Sequence, residues 1–387
     1  MKSSAYPSSK FLAVTTLASL TFLAIGFCLP SPMDACGQEA AANKKATERL
    51  LLCGMDEVFE IDAPTDDTIN QTKHWSWRAK DHLEIPEAIR SRFGTTDDCK
   101  PVNGNLYLVT SSGGGCAAID RTSNKVVWYA VVANAHSIEA LPGNRVVVAA
   151  SVAKEGNRLV LFDLAVPEQP LWHGPLQSAH GVVWDESRKR LWAIGYDVLE
   201  SYSLQDWDST TPSLTRESAF PLPDAGGHDL QAMPDSDDLV LSTHDHVYLF
   251  DREQEQFRPH PELGDERNVK CVSTSGETGR VVWLKGKGDA WWTDTLGFIK
   301  PTGEMVLTGE KLYKVRWLTA TTATQDELSC EQPSPQAMAA AVGVTLPPSP
   351  WHVANIWWDF EKPVEKFESL EIDVTIDRDV PDDYNLY

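Results

Sequence analysis

The sequence has few basic residues, and this shortage limits the partners that the protein can bind. It holds 34 Lys and Arg against 56 Asp and Glu, which gives a formal net charge of −22. A surface that acidic repels the phosphate backbone of nucleic acids and the headgroups of anionic lipids. We therefore expect no nucleic acid among its partners, and a membrane only through an N-terminal anchor.

The sequence also lacks the cysteine and histidine spacings that bind structural zinc. Its seven cysteines include no CxxC pair, so a zinc site of that kind is not expected. Export would allow disulfides to form. Cys99 and Cys116 are the first pair that we expect, because both fall in one predicted four-strand unit, and free buried thiols are the alternative.

Long apolar runs are absent outside the N-terminus. Lys2 and Lys10 precede an apolar stretch from residue 11 to residue 29, and small residues follow it. This order is typical of a secretory signal peptide, so residues 1–37 are predicted to direct secretion or export to the periplasm. If the segment is not cleaved, we expect it to anchor the protein in a membrane.

What the sequence does have is a repeat of four short strands. Comparable first strands begin at His136, His180 and His228, which are 44 and 48 residues apart. Such spacings are typical of β-propellers, in which each blade is a four-stranded sheet. Five complete blades are predicted, and a sixth combines a last strand at residues 312–320 with three strands near the N-terminus. We predict an all-β, six-bladed β-propeller over residues 48–320, closed by strands from both chain ends, which removes exposed sheet edges.

The sequence changes character after the repeats. Residues 321–350 are rich in Pro and Ala and are predicted to form a linker. Residues 351–387 are acidic and contain an alternating apolar and polar run from Leu370 to Ile376, which predicts a half-buried strand. This segment is too short for a separate core, so we expect a small β appendage that packs on the propeller.

In a propeller, the residues that head the innermost strands converge at one opening of the central channel. The heads differ from blade to blade, in the order Asp97 or Asp98, His136, His180, His228, Lys270 and Lys314, with Arg316 two residues further along its strand. A hydrogen-bond framework, as in WD-type propellers, would need the same residue in every blade. The asymmetry favours a binding site, and a framework is the alternative.

Three imidazoles across a narrow channel suit a transition metal. His136, His180 and His228 are therefore the predicted ligands of a Mn or Zn ion. The two lysines at the neighbouring heads oppose a metal ion unless an anionic ligand lies between them.

The same lysines predict a site for a small anionic molecule or a saccharide, bound through a carboxylate, sulfate or phosphate group. The predicted ligand-binding residues are the charged and aromatic side chains at the opening, Asp98, Lys270, Lys314, Arg316 and Trp291. Trp291 is the candidate for stacking on a sugar ring, although a core position is the commoner role of such a tryptophan. His136 and His180 are the candidates for catalytic proton transfer.

Six stretches of the sequence resemble a family of secreted six-bladed β-propellers of unknown function: FGTTDDCKPV, SSGGGCAAIDR, NAHSIEALPGNRVVVAAS, SAHGVVWD, GGHDL and WWTD. The resemblance extends over residues 48–320. It implies the fold and export, and it implies no particular reaction.

Two enzyme families are similar more distantly. Arylsulfate sulfotransferases are six-bladed propellers in which a channel histidine accepts the sulfuryl group, and HSIEALPGNRVVV resembles one of their strand pairs, which implies this role for His136. Oligogalacturonate lyases hold manganese with channel histidines, which implies His136, His180 and His228 as ligands. Those lyases differ in blade count, and the sequence has no match to their glutamine ligand.

Three classes of function are open at this point. The first is an exported, monomeric protein that binds a small anionic or carbohydrate-like ligand. The second is an enzyme, a polyuronide lyase or a sulfuryl transferase, that uses the same histidines. The third is a protein-interaction scaffold in which the ring of polar residues is only a framework.

Overall fold

Six four-stranded antiparallel sheets make up the computed structural model, which describes residues 48–65, 71–102 and 105–318. The sheets are the blades of a β-propeller. Helical structure in the described residues is limited to one 3-10 turn and one short helix. The predicted all-β, six-bladed fold is confirmed.

The chain passes from blade to blade in sequence order. It begins with three strands of blade 6 and a short helical connection: β1 (Arg49–Gly54), β2 (Glu57–Asp62), β3 (Trp75–Trp77), the 3-10 turn (Ala79–Asp81) and α1 (Glu87–Arg90). Blade 1 consists of β4 (Thr96–Val102), β5 (Leu106–Ser111), β6 (Gly115–Asp120) and β7 (Lys125–Val131). Blade 2 consists of β8 (Ala135–Leu141), β9 (Arg145–Ala150), β10 (Arg158–Asp163) and β11 (Pro170–Pro175).

The remaining blades repeat this arrangement. Blade 3 consists of β12 (Gly181–Asp185), β13 (Arg190–Ile194), β14 (Val198–Gln205) and β15 (Ser213–Pro221). Blade 4 consists of β16 (Asp229–Ala232), β17 (Asp238–Ser242), β18 (Val247–Asp251) and β19 (Gln256–Pro259). Blade 5 consists of β20 (Val269–Thr274), β21 (Val281–Lys285), β22 (Thr295–Ile299) and β23 (Gly303–Val306), and the last described strand is β24 (Lys314–Leu318).

Blade 6 is closed by hydrogen bonds between the two ends of the described chain. β24 pairs antiparallel with β1, with Cys53 opposite Lys314 and Arg49 opposite Leu318, so the strand order is β24-β1-β2-β3. The prediction that both chain ends build the sixth blade is therefore confirmed. β24 is the innermost strand of this blade, which puts its first residue, Lys314, at the same end of the channel as the other strand heads.

The core lies between neighbouring blades, because both faces of each sheet are buried. In β9, Val146 and Val148 pack against blade 1, whereas Val147 and Ala149 pack against blade 3. Successive side chains of a strand point to opposite faces of its sheet. A continuous apolar run such as RVVVAA (145–150) therefore fills two interfaces at once.

The predicted disulfide between Cys99 and Cys116 is wrong. Both thiols are free and buried, as are Cys53 and Cys271. Cys99 lies on β4 and Cys116 on β6, with β5 between them, and their side chains pack in the clusters on opposite faces of blade 1. Strands two apart in a sheet are separated by about 10 Å, more than the ~7 Å between Cα atoms that a disulfide allows. The alternative, free buried thiols, describes these cysteines.

Reducing agent is expected to leave the stability of the propeller unchanged. A lost disulfide would lower the free energy of unfolding by roughly 2–4 kcal/mol, whereas free thiols have no bond to lose. The measurement is the melting temperature with and without dithiothreitol, together with alkylation of the unreduced, unfolded protein. Peptides that carry Cys53, Cys99, Cys116 and Cys271 should all be alkylated, and protection of any of them would contradict the structure.

Several predictions from the sequence lie outside the described residues. These are the export segment (1–37), the linker (321–350) and the acidic C-terminal segment (351–387), which stay predictions. Within the part of the chain that the structure describes, no helix is both long enough and apolar enough to cross a membrane.

Candidate functional site

The structure brings the three predicted histidines together at one end of the channel. The ring centroids of His136 and His180 are 4.3 Å apart, and those of His180 and His228 are 5.0 Å apart. The Lys270 Nζ lies 2.9 Å from the His228 Nε2. We call the opening that these four side chains surround the mouth.

β-Bulges position part of the mouth. The pairing register shifts by one residue at the heads of β4, β8 and β20, and the residues left without a register partner are Asp97, His136 and Lys270. A bulge bends its strand and changes the direction of a side chain. Asp97, rather than Asp98, is thereby the carboxylate beside the histidines, with its Oδ1 3.6 Å from the His136 Nε2.

The three histidines belong to a longer arc of aromatic rings in mutual contact. We call this set the ring arc, in the order Trp291, Tyr313, His136, His180, His228, His244 and Tyr196. The two ends of the arc are accessible to solvent, because Trp291 and Tyr196 are 39% and 40% exposed. The arc therefore offers aromatic faces to solvent on two sides of a polar centre.

Trp291 lies in a connection rather than in a strand. The third strand of blade 5, β22, begins only at Thr295. The connection between β21 and β22 opens at the same end of the channel as the mouth. The Trp291 and Tyr313 rings meet in an edge-to-face contact, with their centroids 5.5 Å apart.

His244 keeps its place in the arc because the chain opposite it is glycine. Gly226 has φ +85°, and a Cβ atom there would lie 2.3 Å from the His244 Cγ. Only a residue without a side chain allows both this backbone conformation and this ring contact.

Substituting Gly226 by alanine is expected to displace the His244 ring and to destabilise the fold by more than the same change at Gly279. Both glycines have positive φ, but a Cβ at Gly279 meets no atom within 4 Å. The backbone strain, about 1 kcal/mol, is thus shared by the two variants, and the difference between them reports the ring contact. The measurement is chemical denaturation of both variants, and equal losses would contradict the contact.

The Lys270 ammonium is buried without a carboxylate partner among the described residues. Its side chain is 6% exposed, and its described hydrogen bond is the one to the His228 Nε2. Burial, together with the positive charge of Lys314, lowers the pKa of Lys270 to about 8. Burial also holds the pKa values of His180 and His228 well below the ordinary value, so both imidazoles are neutral at pH 7.

Hydrogen bonds define which nitrogen of each imidazole carries the proton. The Nδ1 of His136 donates to the Asn134 carbonyl at 3.1 Å, and the Nδ1 of His180 donates to the Ser178 carbonyl at 2.8 Å. A carbonyl oxygen only accepts, so the neutral His180 has its lone pair on Nε2. In His228 the Nε2 accepts a hydrogen bond from Lys270, so the proton of the neutral ring is on Nδ1.

Six charged residues fill the channel further from the mouth. We call them the axial ion network: Asp98, Lys100, Glu139, Asp229, Lys314 and Arg316. Arg316 joins Asp98 and Asp229 through its Nη2, at 2.8 Å and 2.9 Å. The Lys314 Nζ lies 2.9 Å from the Asp229 Oδ1, and the Lys100 Nζ donates to the Glu139 Oε2 at 2.8 Å.

The charges of this network balance, with three carboxylates facing three cations. Burial alone would raise the pKa of Asp98, but Arg316 and Lys314 hold it below the ordinary value. Burial opposes the charge of Lys314 as well, but Asp229 and Asp98 keep its pKa above the ordinary value. Three of the predicted ligand-binding residues, Asp98, Lys314 and Arg316, thus have protein partners already.

A metal ion finds no ready set of donors at the mouth. Within the described part of the chain, no group of three or more His, Cys, Asp or Glu side chains is arranged to hold one. One of the three imidazoles is already engaged, because the Nε2 lone pair of His228 accepts a hydrogen bond from Lys270. This arrangement does not fit a three-histidine metal site, and a Mn or Zn ion stays a prediction from the sequence.

Sequence reasoning missed two residues that belong to the site. Asp229 accepts from both Lys314 and Arg316, and Tyr313 extends the ring arc. Both stand next to predicted residues, after His228 and before Lys314. That adjacency was the available signal, but adjacency alone does not show which of two neighbouring residues faces the channel.

The fold and the mouth define a class of protein, a six-bladed β-propeller with an imidazole-rich opening at one end of its channel. The chain belongs to the family described as "Family of unknown function (DUF6528)", whose model matches residues 60–328. No curated protein matches the chain. The predicted resemblance to propellers of unknown function is confirmed, whereas the likeness to sulfotransferases and lyases is not shown.

Proposed function

We propose that the protein binds a small anionic ligand at the mouth, with Lys270 as the main charged contact. The observation that carries this proposal is the Lys270 ammonium, which is buried and faces only a neutral imidazole among its described partners. A buried charge without a counter-ion is unfavourable, because it has lost its hydration and gained nothing in return. An anionic group that enters the mouth would supply the missing partner.

The other buried cations of the channel differ from Lys270, because each of them has a carboxylate partner. Lys314 and Arg316 are bound to Asp229, and Lys100 is bound to Glu139. The chain has 56 acidic residues, yet none of those described pairs with Lys270. A position that keeps an unpaired charge at a cost in stability is typical of a functional site.

The axial ion network also determines how a ligand would reach Lys270. Lys100 donates across the channel to the Val182 carbonyl, from blade 1 to blade 3, and Arg316 joins blade 6 to blades 1 and 4. These long side chains occupy the axis behind the histidines. A ligand is therefore expected to enter and leave through the mouth.

An enzyme that uses the same histidines is a second candidate. The observation in its favour is the neutral His180, whose Nε2 lone pair forms no hydrogen bond with the described residues. A positioned imidazole of this kind is able to accept a proton from a bound molecule. Turnover of uronides or aryl sulfates that is lost in His180→Phe, with the fold intact, would support this candidate over simple binding.

The proposal includes export of the protein to the periplasm or the cell exterior. It rests on the N-terminal sequence alone, with the basic start and the apolar run of residues 11–29. N-terminal sequencing of the protein from its host tests it. A new N-terminus near residue 38 supports cleavage, and an intact Met1 supports an anchor instead.

The anion site is tested by calorimetric titration of the purified protein with sulfate, phosphate and D-glucuronate. At least one of these anions should bind the wild type with a 1:1 stoichiometry, and Lys270→Met should lose that binding. Lys311→Met is the matched control, because Lys311 is exposed at the same end of the propeller and its ammonium lies over the Trp292 ring. Unchanged binding in Lys270→Met, or equal loss in both variants, would overturn the proposal.

A further inference from the structure

We infer that the ligand is a hydroxylated carboxylic acid, of the class of the sugar acids, whose hydroxyl groups hydrogen bond to His180 and His228 while its carboxylate pairs with Lys270. This inference rests on the proposed anion site and names the class of molecule that the site would take. It follows from the hydrogen-bonding groups that the mouth leaves without protein partners.

The neutral His180 requires a hydrogen-bond donor from the ligand. Its Nδ1 donates to the Ser178 carbonyl, and the Ser151 and Ser178 hydroxyls lie 3.2 Å from the same nitrogen. The opposite nitrogen, Nε2, therefore carries a lone pair and has no donor among the described residues. Sulfate, which only accepts hydrogen bonds, would leave this lone pair unused.

The neighbouring His228 requires the opposite, a hydrogen-bond acceptor. Its Nε2 accepts from Lys270, so Nδ1 carries the proton, and this nitrogen is buried without a partner in the described chain. The comparison with His136 and His180 shows that this is particular to His228, because both of those rings donate Nδ1 to the carbonyl two residues earlier. A buried donor without a partner costs about 1–3 kcal/mol.

A hydroxyl group is the one common ligand group that both donates and accepts. A molecule with a carboxylate and adjacent hydroxyls thus complements the cation, the acceptor and the donor of the mouth together. The half-exposed rings at the ends of the ring arc, Trp291 and Tyr196, add flat apolar faces of the kind that pack against the C–H face of a sugar.

A series of three compounds separates the contributions of the carboxylate and the hydroxyls. D-Glucuronate has both, cyclohexanecarboxylate keeps the six-membered ring and the carboxylate without hydroxyls, and D-glucose keeps the hydroxyls without the charge. D-Galacturonate is included so that the configuration of one hydroxyl does not decide the result. We expect one of the uronates to bind about 10- to 100-fold more tightly than cyclohexanecarboxylate, since unpaired buried groups give discrimination of this size.

Substitution of His180 by phenylalanine keeps a ring in the arc and removes the acceptor. This variant should lose at least half of the difference in binding free energy between the uronate and cyclohexanecarboxylate, because the His228 contact remains. The control is His173→Phe, an exposed histidine on β11 at the rim of blade 2, which should leave both affinities unchanged. If His180→Phe does not fold, the relative affinities of the wild type for the compounds of the series still test the hydroxyl contacts.

The outcomes distinguish this inference from the proposal on which it rests. Equal binding of cyclohexanecarboxylate and the uronates, dependent on Lys270, would overturn the hydroxyl contacts and leave the anion site intact. Binding of sulfate or phosphate without binding of either uronate would also overturn the hydroxyl contacts and leave the anion site intact. Binding of D-glucose as tight as that of the uronates would overturn both.

Discussion

Lys270→Met is expected to make the ligand-free protein more stable, by on the order of 3 kcal/mol at pH 7. The pKa of Lys270 falls from 10.5 to about 8 on folding, and each unit of difference corresponds to about 1.4 kcal/mol between the two protonation states. Methionine has a similar length and carries no charge, so it removes that cost. Most substitutions of buried residues destabilise a protein, and a gain here would mark Lys270 as a residue kept for binding.

The pH dependence of this difference has a definite sign. Because the pKa of Lys270 is lower in the folded protein than in the unfolded one, the cost of its charge is complete below pH 8. It diminishes as the pH rises from about 8 to the ordinary value of 10.5. The advantage of Lys270→Met should therefore shrink over that interval. The charged and titratable neighbours are Lys314, which contributes to the shift, and the neutral imidazoles of His180 and His228.

Anion binding should depend on the same titration of Lys270. The ammonium form binds the anion, so affinity should fall as the pH rises above about 8. Denaturation of wild type and variant at pH 7 and pH 10, with Lys311→Met as the exposed control, measures the stability effect. A Lys270→Met protein that is less stable than the wild type at pH 7 would mean that a partner already compensates the charge.

Arg316→Met is expected to have the opposite effect, a loss of about 3–5 kcal/mol in the free energy of unfolding. Arg316 lies between Asp98 and Asp229, and all three side chains are buried. Removing the guanidinium leaves the two carboxylates close together with only Lys314 and Lys100 near them. This loss is costly because the two buried carboxylates have no water around them and lose their strongest cationic partner.

An exposed arginine provides the matched comparison for Arg316. Arg267 pairs with Asp245 at the surface and is 76% exposed. Arg267→Met should change stability by no more than about 1 kcal/mol, since surface ion pairs contribute little. Urea denaturation of the two variants measures the difference. Similar small losses in both would show that the axial ion network does not hold the blades together.

The architecture was predictable from the sequence because a propeller repeats its pattern. The spacing of first strands at His136, His180 and His228 gave the period, and the leftover strands at the two ends gave the closure of blade 6. The convergence of the strand heads followed from the same geometry. These features depend on local strand patterns and on the number of blades, both of which the sequence carries directly.

Which polar residues pair with each other and which stay without a partner at the mouth was not predictable from the sequence. Lys270 and Lys314 occupy equivalent positions in the sequence pattern, yet Lys314 reaches Asp229 in another blade and Lys270 does not. Contacts of this kind cross the channel, so they depend on side chains that are close only after the ring has closed. The bulges that direct Asp97 and Lys270 were equally hidden, because a one-residue shift in pairing leaves no mark on the apolar pattern.

Direct titration of the Lys270 side chain tests the central claim, that a buried ammonium at the mouth lacks a counter-ion and receives one from a ligand. Lysine labelled with ¹³C at Cε gives one NMR signal for each side chain. The signal that is absent from the spectrum of Lys270→Met is that of Lys270. The account predicts a pKa of about 8 in the free protein and a rise towards the ordinary value when the anion is bound. A pKa near 10.5 in the free protein, unchanged by any of the anions, would contradict it.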